Sequence, residues 1–266
     1  MHNLIEKRKL EERKHANKLK KLSNSEEKIL SNKKFYSITR SSQNYIKNWL
    51  LKRIDKGKKF LDYCCGTGNT AIFLAKNDAD VIAIDISDVS IETAKKEASK
   101  IGLKNNPLFL VMDGENLEFN DNSFDFIICS GVLHHLGIEK AYSELLRVLK
   151  PDGEIICNEP LAYNPIFQLY RRLTPHLRTK WETEHILNKK SINLSKKYFN
   201  QIKLKTFHLT TLLAVPFRKT PIFNPLLSLL ELIDAFLLRI PIIKWLAWQV
   251  IFIISGPKKD ILEKYD

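Results

Sequence analysis

The stretch Phe60-Leu61-Asp62-Tyr63-Cys64-Cys65-Gly66-Thr67-Gly68 predicts a strand that runs into a glycine turn, with a helix over 69–76 behind it. Nineteen positions after Gly66, Val81-Ile82-Ala83-Ile84-Asp85 predicts an apolar strand that ends in an acid. Glycines let the backbone approach a ligand closely, and the following helix presents free amides. Because an acid at the tip of the neighbouring strand can bind both hydroxyls of a ribose, the spacing predicts an adenosine-type cofactor in a doubly wound sheet.

Short apolar strands alternate with amphipathic helices through the first half of the chain. The strands are predicted over 59–64, 81–85, 108–112, 124–129 and 154–158, and the helices over 69–76, 88–101 and 138–149. This alternation is typical of a parallel sheet that is covered on both faces. In such sheets, ligands bind at the carboxyl ends of the strands.

The composition fits one large domain. The chain has 266 residues, of which 44% are apolar, and four cysteines that are not spaced as zinc pairs. Each cysteine falls in or beside a predicted strand, so we expect reduced thiols that act as small apolar side chains. The first 34 residues lack the apolar stretch of a signal peptide, and we therefore expect a cytoplasmic protein.

The net charge of +13 is spread unevenly along the chain. Residues 1–34 carry eleven Lys and Arg against five Asp and Glu, and residues 171–205 carry ten against two. The part between them, 35–170, is mildly acidic, with fifteen against eighteen. Such asymmetry suggests an anionic partner, either a membrane surface or a nucleic acid. A solvated, lysine-rich surface is the alternative, and for the N-terminal arm alone it is slightly favoured.

The second half of the chain is less regular. Residues 204–215 and 248–255 are predicted to be strands, and 160–187 show no clean period. The apolar runs 226–238 and 242–254 are interrupted by charged residues and are too short for a membrane span. They predict apolar helices that cover a substrate, pack on the core or form a dimer interface.

Four blocks in order give the chain a family resemblance. They are Leu61-Asp62-Tyr63-Cys64-Cys65-Gly66-Thr67-Gly68, Asp85, Met112-Asp113-Gly114 with Phe124-Asp125-Phe126-Ile127-Ile128-Cys129-Ser130, and Leu133-His134-His135-Leu136 with Leu149-Lys150-Pro151-Asp152-Gly153-Glu154. Over about residues 59–160 the chain resembles class I S-adenosylmethionine-dependent methyltransferases, especially the group that includes the quinone C-methyltransferases. A dehydrogenase fits less well, because the third glycine of its pattern is missing.

The resemblance implies an α/β fold with a Rossmann-like, seven-stranded sheet, helices on both faces and a last strand that is antiparallel beside the sixth. We expect a basic helical arm over 1–34 and a single domain over 35–266. The cofactor-binding core is 59–160. The segments 160–200 and 216–247 are expected to be substrate-side insertions, the second of them apolar, helical and placed between the last two strands.

The resemblance also implies the cofactor, S-adenosyl-L-methionine, and its site residues. In this sequence these are Tyr36, Asp62, Cys64, Gly66, Gly68, Asp85, Ile86, Asp113, Gly114 and Ser130. Asp85 is expected to bind the ribose and Asp113 the adenine amino group. Cys64 replaces the first glycine of the family's signature, and we expect it to fit if the backbone there keeps a negative φ.

The acceptor side is less well defined. His134, His135 and Glu159 follow the fourth and fifth strands and are candidate catalytic bases, although a helix cap or a structural acid would explain them equally well. A second group, Arg171, Arg172, Arg178 and His185, predicts recognition of an anionic substrate, with local salt bridges as the alternative. No metal site is expected.

These observations predict O- or C-methylation of a small, hydrophobic or lipid-linked acceptor such as a quinone, a lipid or a lipid-linked sugar. The enzyme is expected in the cytoplasm and peripherally on the membrane surface. The alternatives are an RNA methyltransferase and a non-catalytic cofactor-binding subunit of an assembly. Nucleic acid is the less favoured partner, since no RNA-binding module accompanies the basic arm.

Overall fold

The protein folds around one seven-stranded sheet. The structure is a computed structural model that describes residues 2–21, 32–103 and 107–264. The strand order is β3-β2-β1-β4-β5-β7-β6. The strands are β1 Lys59–Tyr63, β2 Asp80–Asp85, β3 Leu108–Val111, β4 Phe124–Ser130, β5 Leu149–Pro160, β6 Phe199–Phe207 and β7 Gln249–Pro257.

The first five strands run parallel, and β7 lies antiparallel between β5 and β6. This confirms the predicted sheet and its antiparallel last strand. The parallel register brings the carboxyl ends of β1, β2, β4 and β5 to one edge. Asp85, Ser130 and Glu159 therefore lie along the same edge as the glycine turn.

Helices cover the sheet and extend beyond it. They are α1 His2–Lys21, α2 Arg40–Leu51, α3 Asn69–Ala75, α4 Asp88–Lys100, α5 Ile138–Val148, α6 Pro165–Leu173, α7 Lys180–His185, α8 Lys189–Leu194 and α9 Phe223–Leu237. Short 3-10 turns, the longest of them Asn32–Ile38 and Thr211–Phe217, connect several of these elements.

Two apolar layers hold the sheet. Alternate residues of a strand point to opposite faces, so Phe60 packs in one layer and Leu61 in the other. Cys129 and Cys157, paired in register on β4 and β5, are fully buried in the second layer as free thiols. A third, smaller cluster joins the 3-10 turn around Phe35 to α6 and α9 and supports the region beyond the sheet.

The sixth strand differs from its prediction over 204–215. It spans Phe199–Phe207 and ends because His208 takes a left-handed φ of +66°, after which Thr211–Phe217 forms a 3-10 turn. The segment 160–187, which shows no clean period in the sequence, contains two short helices. The first begins where the side chain of Asn164 accepts the amide of Phe167, with a proline at the first helical position.

Of the helical arm expected over 1–34, residues 2–21 form α1, while residues 22–31 lie outside the described part. Of the helices in the described ranges, none combines the length and the apolar character that crossing a bilayer requires.

Candidate active site

The glycine turn after β1 has the sharp backbone that its sequence predicts. Gly66 and Gly68 have φ values of +54° and +74°. A Cβ on Gly68 would lie 2.7 Å from the ring of Phe109 and 2.9 Å from Cβ of Ala94, so only glycine fits there. The turn leads directly into α3, whose first turn faces the carboxyl edge of the sheet.

Cys64 does not keep the negative φ expected from the sequence. Its φ is +56°, the left-handed conformation that the family's glycine would adopt without strain. The side chain turns toward Gly114, where an added Cβ would lie 3.1 Å from the Cys64 sulfur. Burial raises the pKa of the thiol well above its ordinary value, so the group stays neutral.

Asp85 ties the tip of β2 to the glycine turn. Its Oδ2 accepts the amide of Gly66 at 2.8 Å and its Oδ1 accepts the amide of Ser87 at 2.8 Å. A carboxylate oxygen can accept more than one hydrogen bond, which is the chemistry that a ribose diol requires. Ile86 follows directly and is half-buried.

Asp62 supports the turn from below. It is almost fully buried, and its Oδ2 accepts the amide of Ala71 in the first turn of α3 at 3.0 Å. Burial raises the pKa of Asp62 to about 7, and the charge of Asp85 adds to the rise. The hydrogen bond from the amide of Ala71 lowers the pKa but does not outweigh burial. Asp62 therefore fixes the helix behind the turn, and its charge depends on pH near neutrality.

Asp113 lies after β3 in a tight turn. Its Oδ1 accepts the amide of Glu115 at 2.9 Å, and its Oδ2 lies 2.6 Å from Nζ of Lys9 on α1. Gly114 is required here because a Cβ would meet the hydroxyl of Tyr63 at 2.9 Å. That hydroxyl donates to the carbonyl of Gly114 at 2.6 Å, which locks the turn onto β1.

A cavity of about 550 Å³ opens at the same edge, between α2, α3 and the ends of β4 and β5. Two of the residues predicted for the cofactor site, Tyr36 and Ser130, line this cavity. The polar residues of its wall are Tyr36, Thr39, Ser42, Gln43, Asn44, Lys47, Asn69, Thr70, Ser130, Asn158 and Gln249. Within the described residues, the buried Oδ1 of Asn158 has no hydrogen-bond donor, so this wall fits a ligand that donates one.

Glu159 and His134 are brought together, but not at the cavity wall. The Oε1 atom of Glu159 accepts the amides of Val132 and Leu133, both at 2.8 Å, and its Oε2 lies 2.7 Å from Nδ1 of His134. Glu159 is 1% exposed, and the hydrogen bond requires the proton to sit on Nδ1 of His134. The pair holds the turn after β4 to the end of β5.

His135 contacts the arm instead. Its Nδ1 lies 2.9 Å from Oε2 of Glu12, and its ring lies 4.2 Å from that of His134. Burial lowers the pKa of His135, but Glu12 and other nearby carboxylates outweigh it and raise the pKa above the ordinary value. His135 is therefore part of the contact between α1 and the turn after β4.

The four residues assigned to an anionic substrate are not among those that line the cavity. The guanidinium of Arg171 donates to the carbonyl of Leu161, and burial lowers its pKa to about 10. Arg178 is bound to Thr174, and His185 stacks on Trp181 at 3.5 Å. Arg172 is exposed.

A buried polar chain next to the cavity has no signal in the sequence. Nε2 of His208 lies 2.7 Å from Oγ of Ser42, which lines the cavity, and its Nδ1 lies 3.3 Å from Oγ1 of Thr211. Thr211 in turn donates to Asp234 at 3.0 Å. Burial lowers the pKa of His208 to about 4, so the ring is neutral. Because the hydroxyl proton of Thr211 goes to Asp234, Nδ1 of His208 donates to Thr211 and Nε2 is an acceptor. The single hydroxyl proton of Ser42 has three acceptors within reach, which are Nε2 of His208, the carbonyl of Thr39 and Oε1 of Gln249.

The core of the chain is similar to known methyltransferases. Residues 60–153 match the family model described as methyltransferase domain. A ubiquinone/menaquinone biosynthesis C-methyltransferase of Rickettsia prowazekii is 39% identical over 106 residues, which are 37% of this chain and 43% of that protein. A sterol 24-C-methyltransferase of Aspergillus fumigatus is 34% identical over 121 residues, which are 45% of this chain and 32% of that protein. The matched part thus spans less than half the length of these curated relatives.

Solved structures match over more of the chain. The geranyl diphosphate C-methyltransferase from Streptomyces coelicolor, in complex with Mg²⁺, geranyl diphosphate and S-adenosyl-L-homocysteine, gives a TM-score of 0.58 at 12% identity and covers 81% of this chain and 77% of that one. The Haemonchus contortus phosphoethanolamine N-methyltransferase 2 in complex with S-adenosyl-L-methionine gives 0.58 at 18% identity and covers 82% and 53%. At these identities the likeness establishes the fold alone.

Residues 60–153 therefore match the methyltransferase-domain family model, and the sheet around them has the class I methyltransferase fold. Both conclusions confirm what the four sequence blocks implied. The roles of the individual site residues stay predictions.

Proposed function

We propose that the protein is an S-adenosyl-L-methionine-dependent methyltransferase that acts on a small hydrophobic acceptor. The observation that carries the proposal is the link between Asp85 and the amide of Gly66, at the same carboxyl edge of the sheet at which the cavity lined by Ser130 opens. Since quinone and sterol C-methyltransferases are similar to the core, carbon is the acceptor atom we favour over oxygen.

The residues present fit this cofactor. Asp85 would bind the ribose, Asp113 with Ile86 and Gly114 would border the adenine, and the glycine turn would let the backbone approach. The unpartnered Oδ1 of Asn158 would accept from the α-ammonium group of the cofactor or from a hydroxyl of the acceptor. When bound, the cofactor supplies an activated methyl group, so the protein mainly has to orient the acceptor.

Two groups could receive a proton from the acceptor. Glu159 holds Nδ1 of His134, and Nε2 has no hydrogen-bond partner among the described residues, which is the arrangement of a positioned general base. In the cavity wall, Oγ of Ser42 lies 2.7 Å from Nε2 of the neutral His208 and can accept from a hydroxyl of the acceptor. We assign the cavity wall to binding the polar end of the acceptor and keep His134, His135 and Glu159 as candidates for proton transfer.

The apolar insertion supports a membrane-bound or lipid-linked acceptor. Leu232, Phe236 and Ile242 are 71%, 68% and 81% exposed. Leu229 and Ile233 on the same helix are exposed as well. An apolar surface of this kind, on a helix next to the active site, is typical of contact with a partner or a lipid surface.

The charges of the insertion favour an anionic bilayer as that partner. Glu231 pairs with Arg40, and the buried Asp234 accepts from Thr210 and Thr211, so neither acid is left facing outward without a partner. The basic residues of the insertion are Arg218, Lys219, Arg239 and Lys244. Apolar side chains flanked by lysine and arginine bind anionic lipid surfaces.

The proposed activity is tested by incubating the protein with methyl-labelled S-adenosyl-L-methionine and a total lipid extract of the source cells. We expect label in the organic phase with the wild type and none with Asp85→Ala. Label that appears only in added RNA would support the nucleic-acid alternative. Cofactor binding without label in any fraction would support the non-catalytic subunit.

The membrane contact is tested by flotation with vesicles that contain anionic lipid. We expect the wild type to float and the double variant Leu232→Ser, Phe236→Ser to remain in the dense fraction. Ile101→Ser is the control, since Ile101 is 45% exposed at the end of α4, outside the insertion. A wild type that never floats would remove the membrane surface from the proposal and leave the methyl transfer standing.

A further inference from the structure

The cavity at the carboxyl edge continues inward along one face of the sheet. Ser130 and Asn158 are paired in register at the ends of β4 and β5. Two residues earlier on each strand, Ile128 pairs with Ile156. Since residues two apart on a strand point to the same face, the two isoleucines lie on that face one step further in. All four residues line the cavity, so it runs from the edge down the sheet.

Helix α2 forms one side of the cavity over this whole length. Its lining residues recur at the spacing of one helical face, and they are Gln43, Ile46, Lys47 and Leu50. From the first to the last of them the helix advances about 10 Å. The cavity therefore has room along the sheet for a ligand chain of about that length.

The polar and the apolar groups of the cavity are separated along its length. The half at the carboxyl edge holds hydroxyl and carboxamide groups, among them Asn158, whose buried Oδ1 has no donor within the described residues. The inner half of the cavity is apolar and is lined by Ile46, Leu50, Phe73, Ile128 and Ile156. A ligand that matches both halves has a polar head and an aliphatic chain.

Lys47 connects the two helices that border the inner half of the cavity. Its Nζ lies 5.7 Å from the ring centroid of Phe73 on α3, and the side chain itself is exposed. A lysine packs its aliphatic stem along apolar surface and keeps its ammonium group in water. The stem of Lys47 therefore covers the inner half from the solvent side.

The inner half of the cavity is distinct from the crevice assigned to the nucleoside. Asp85, Asp113 and the two glycines of the turn are not among the residues that line the cavity. Tyr36 and Ser130, which do line it, lie at its carboxyl-edge half. A cofactor held by Asp85 thus leaves the inner half to another ligand.

We propose that the inner half of the cavity holds an aliphatic chain of the methyl acceptor. A hydrogen-bond-donating group at the head of the chain lies on Asn158, beside Ser130, and the chain runs between α2 and α3 along β4 and β5. The inference rests on the proposed function for the role of this ligand as acceptor. Binding of the chain itself is measured without any methyl transfer.

The first test measures the affinity of the full-length protein for the n-alkanols from pentanol to dodecanol by calorimetry, with and without saturating S-adenosyl-L-homocysteine. Burial of each further methylene should raise the affinity about fourfold. The rise should stop once the chain exceeds about 10 Å, where the inner half ends. Affinities that do not depend on chain length, or alkanol binding that S-adenosyl-L-homocysteine abolishes, would overturn the proposal.

The same series separates this inference from the proposed function. A protein that shows the rise and the plateau but does not bind S-adenosyl-L-homocysteine has the chain site and is not the proposed methyltransferase. A protein that binds S-adenosyl-L-homocysteine and shows no dependence on chain length keeps the proposed function and lacks the chain site.

The second test fills the inner half of the cavity with Ile46→Trp. The larger ring should weaken decanol binding at least about tenfold and leave the affinity for S-adenosyl-L-homocysteine unchanged. Ile72→Trp is the control, since Ile72 on α3 is half-buried like Ile46 but is not among the lining residues, and it should bind decanol within about twofold of the wild type.

Ile46→Phe is a smaller enlargement and should shift decanol binding in the same direction, so it serves if the tryptophan variant does not fold. Unchanged decanol affinity in a folded filling variant would show that the chain binds elsewhere, such as on the exposed apolar side of α9, and would overturn the proposal.

Discussion

The two sides of the crevice are built from different kinds of contact. On the cofactor side, carboxylates hold backbone amides close in sequence: Asp85 is 19 residues from Gly66, and Asp62 is 9 residues from Ala71. On the acceptor side, side chains hold other side chains across the fold. Ser42 and His208 are 166 residues apart, and Arg40 and Glu231 are 191 apart. The contacts assigned to the cofactor side are therefore local in the chain, while those assigned to the acceptor side depend on the packing of distant segments.

The largest effect is expected from the acceptor side. Asp234→Ala removes the acceptor of two hydroxyl groups and of the amides of Leu209 and Thr210. Leaving these buried donors unpaired should lower the free energy of unfolding by about 3 kcal/mol. Chemical denaturation measures the loss, and calorimetry with S-adenosyl-L-homocysteine at low temperature should show unchanged cofactor affinity. A parallel loss of affinity would show that the two sides are not separable.

Asp85→Ala is the counterpart on the cofactor side. The loss of charge-assisted hydrogen bonds to the ribose should weaken binding of S-adenosyl-L-methionine at least about tenfold, equivalent to about 1.5–3 kcal/mol. Asp80→Ala, at the exposed start of the same strand, is the matched control and should bind normally. Equal calorimetric affinity of wild type and Asp85→Ala would remove the ribose assignment.

Asp62→Asn tests the electrostatics under the glycine turn. The pKa of Asp62 is raised from about 3.8 to about 7 in the folded protein, so the folded state binds the extra proton between these values. The stability of the wild type should therefore fall as the pH rises from about 4 to about 7. An asparagine keeps an acceptor for the amide of Ala71 and has no charge, so it should be more stable than the wild type at pH 8 by about 1–2 kcal/mol. Thermal melts of the cofactor-free wild type and of Asp62→Asn at about pH 4 and at pH 8 decide this. If the stabilities of the two proteins change in parallel between these pH values, the burial argument is contradicted.

The smallest effect is expected at Cys64. Glycine adopts a φ of +56° freely, so Cys64→Gly relieves backbone strain while it removes a small buried side chain, and the stability should change by less than about 1 kcal/mol. Cys64→Val is the informative partner, because a β-branched residue tolerates positive φ poorly and should destabilise the turn. If valine is tolerated as well as glycine, the left-handed conformation of the turn is wrong.

The sequence predicts the sheet and the glycine turn well because both depend on local patterns. Strand periodicity, the glycine turn and the acid after β2 are short-range features, and Gly114 follows its acid directly. The exception is Cys64, for which a negative φ was expected because only glycine adopts a positive φ without strain, although the turn imposes a positive one.

Local sequence patterns do not predict the contacts of the acceptor side or of the N-terminal arm. The pair of Lys9 and Asp113 and the chain from Ser42 to Asp234 depend on which distant elements pack together. The composition alone indicates a basic arm. In the structure, however, some of its cations pair with acids about a hundred residues away, as Arg8 does with Glu115. No local signal in the sequence marks these contacts.

The most direct test of the account is a crystal structure of the protein with S-adenosyl-L-homocysteine. The ribose hydroxyls should lie on the carboxylate of Asp85, with the glycine turn of Gly66 beneath the nucleoside. The thioether sulfur should face the cavity beside Ser130. A nucleoside bound elsewhere, or a crevice that stays closed to it by the side chain of Cys64, would contradict the proposed function.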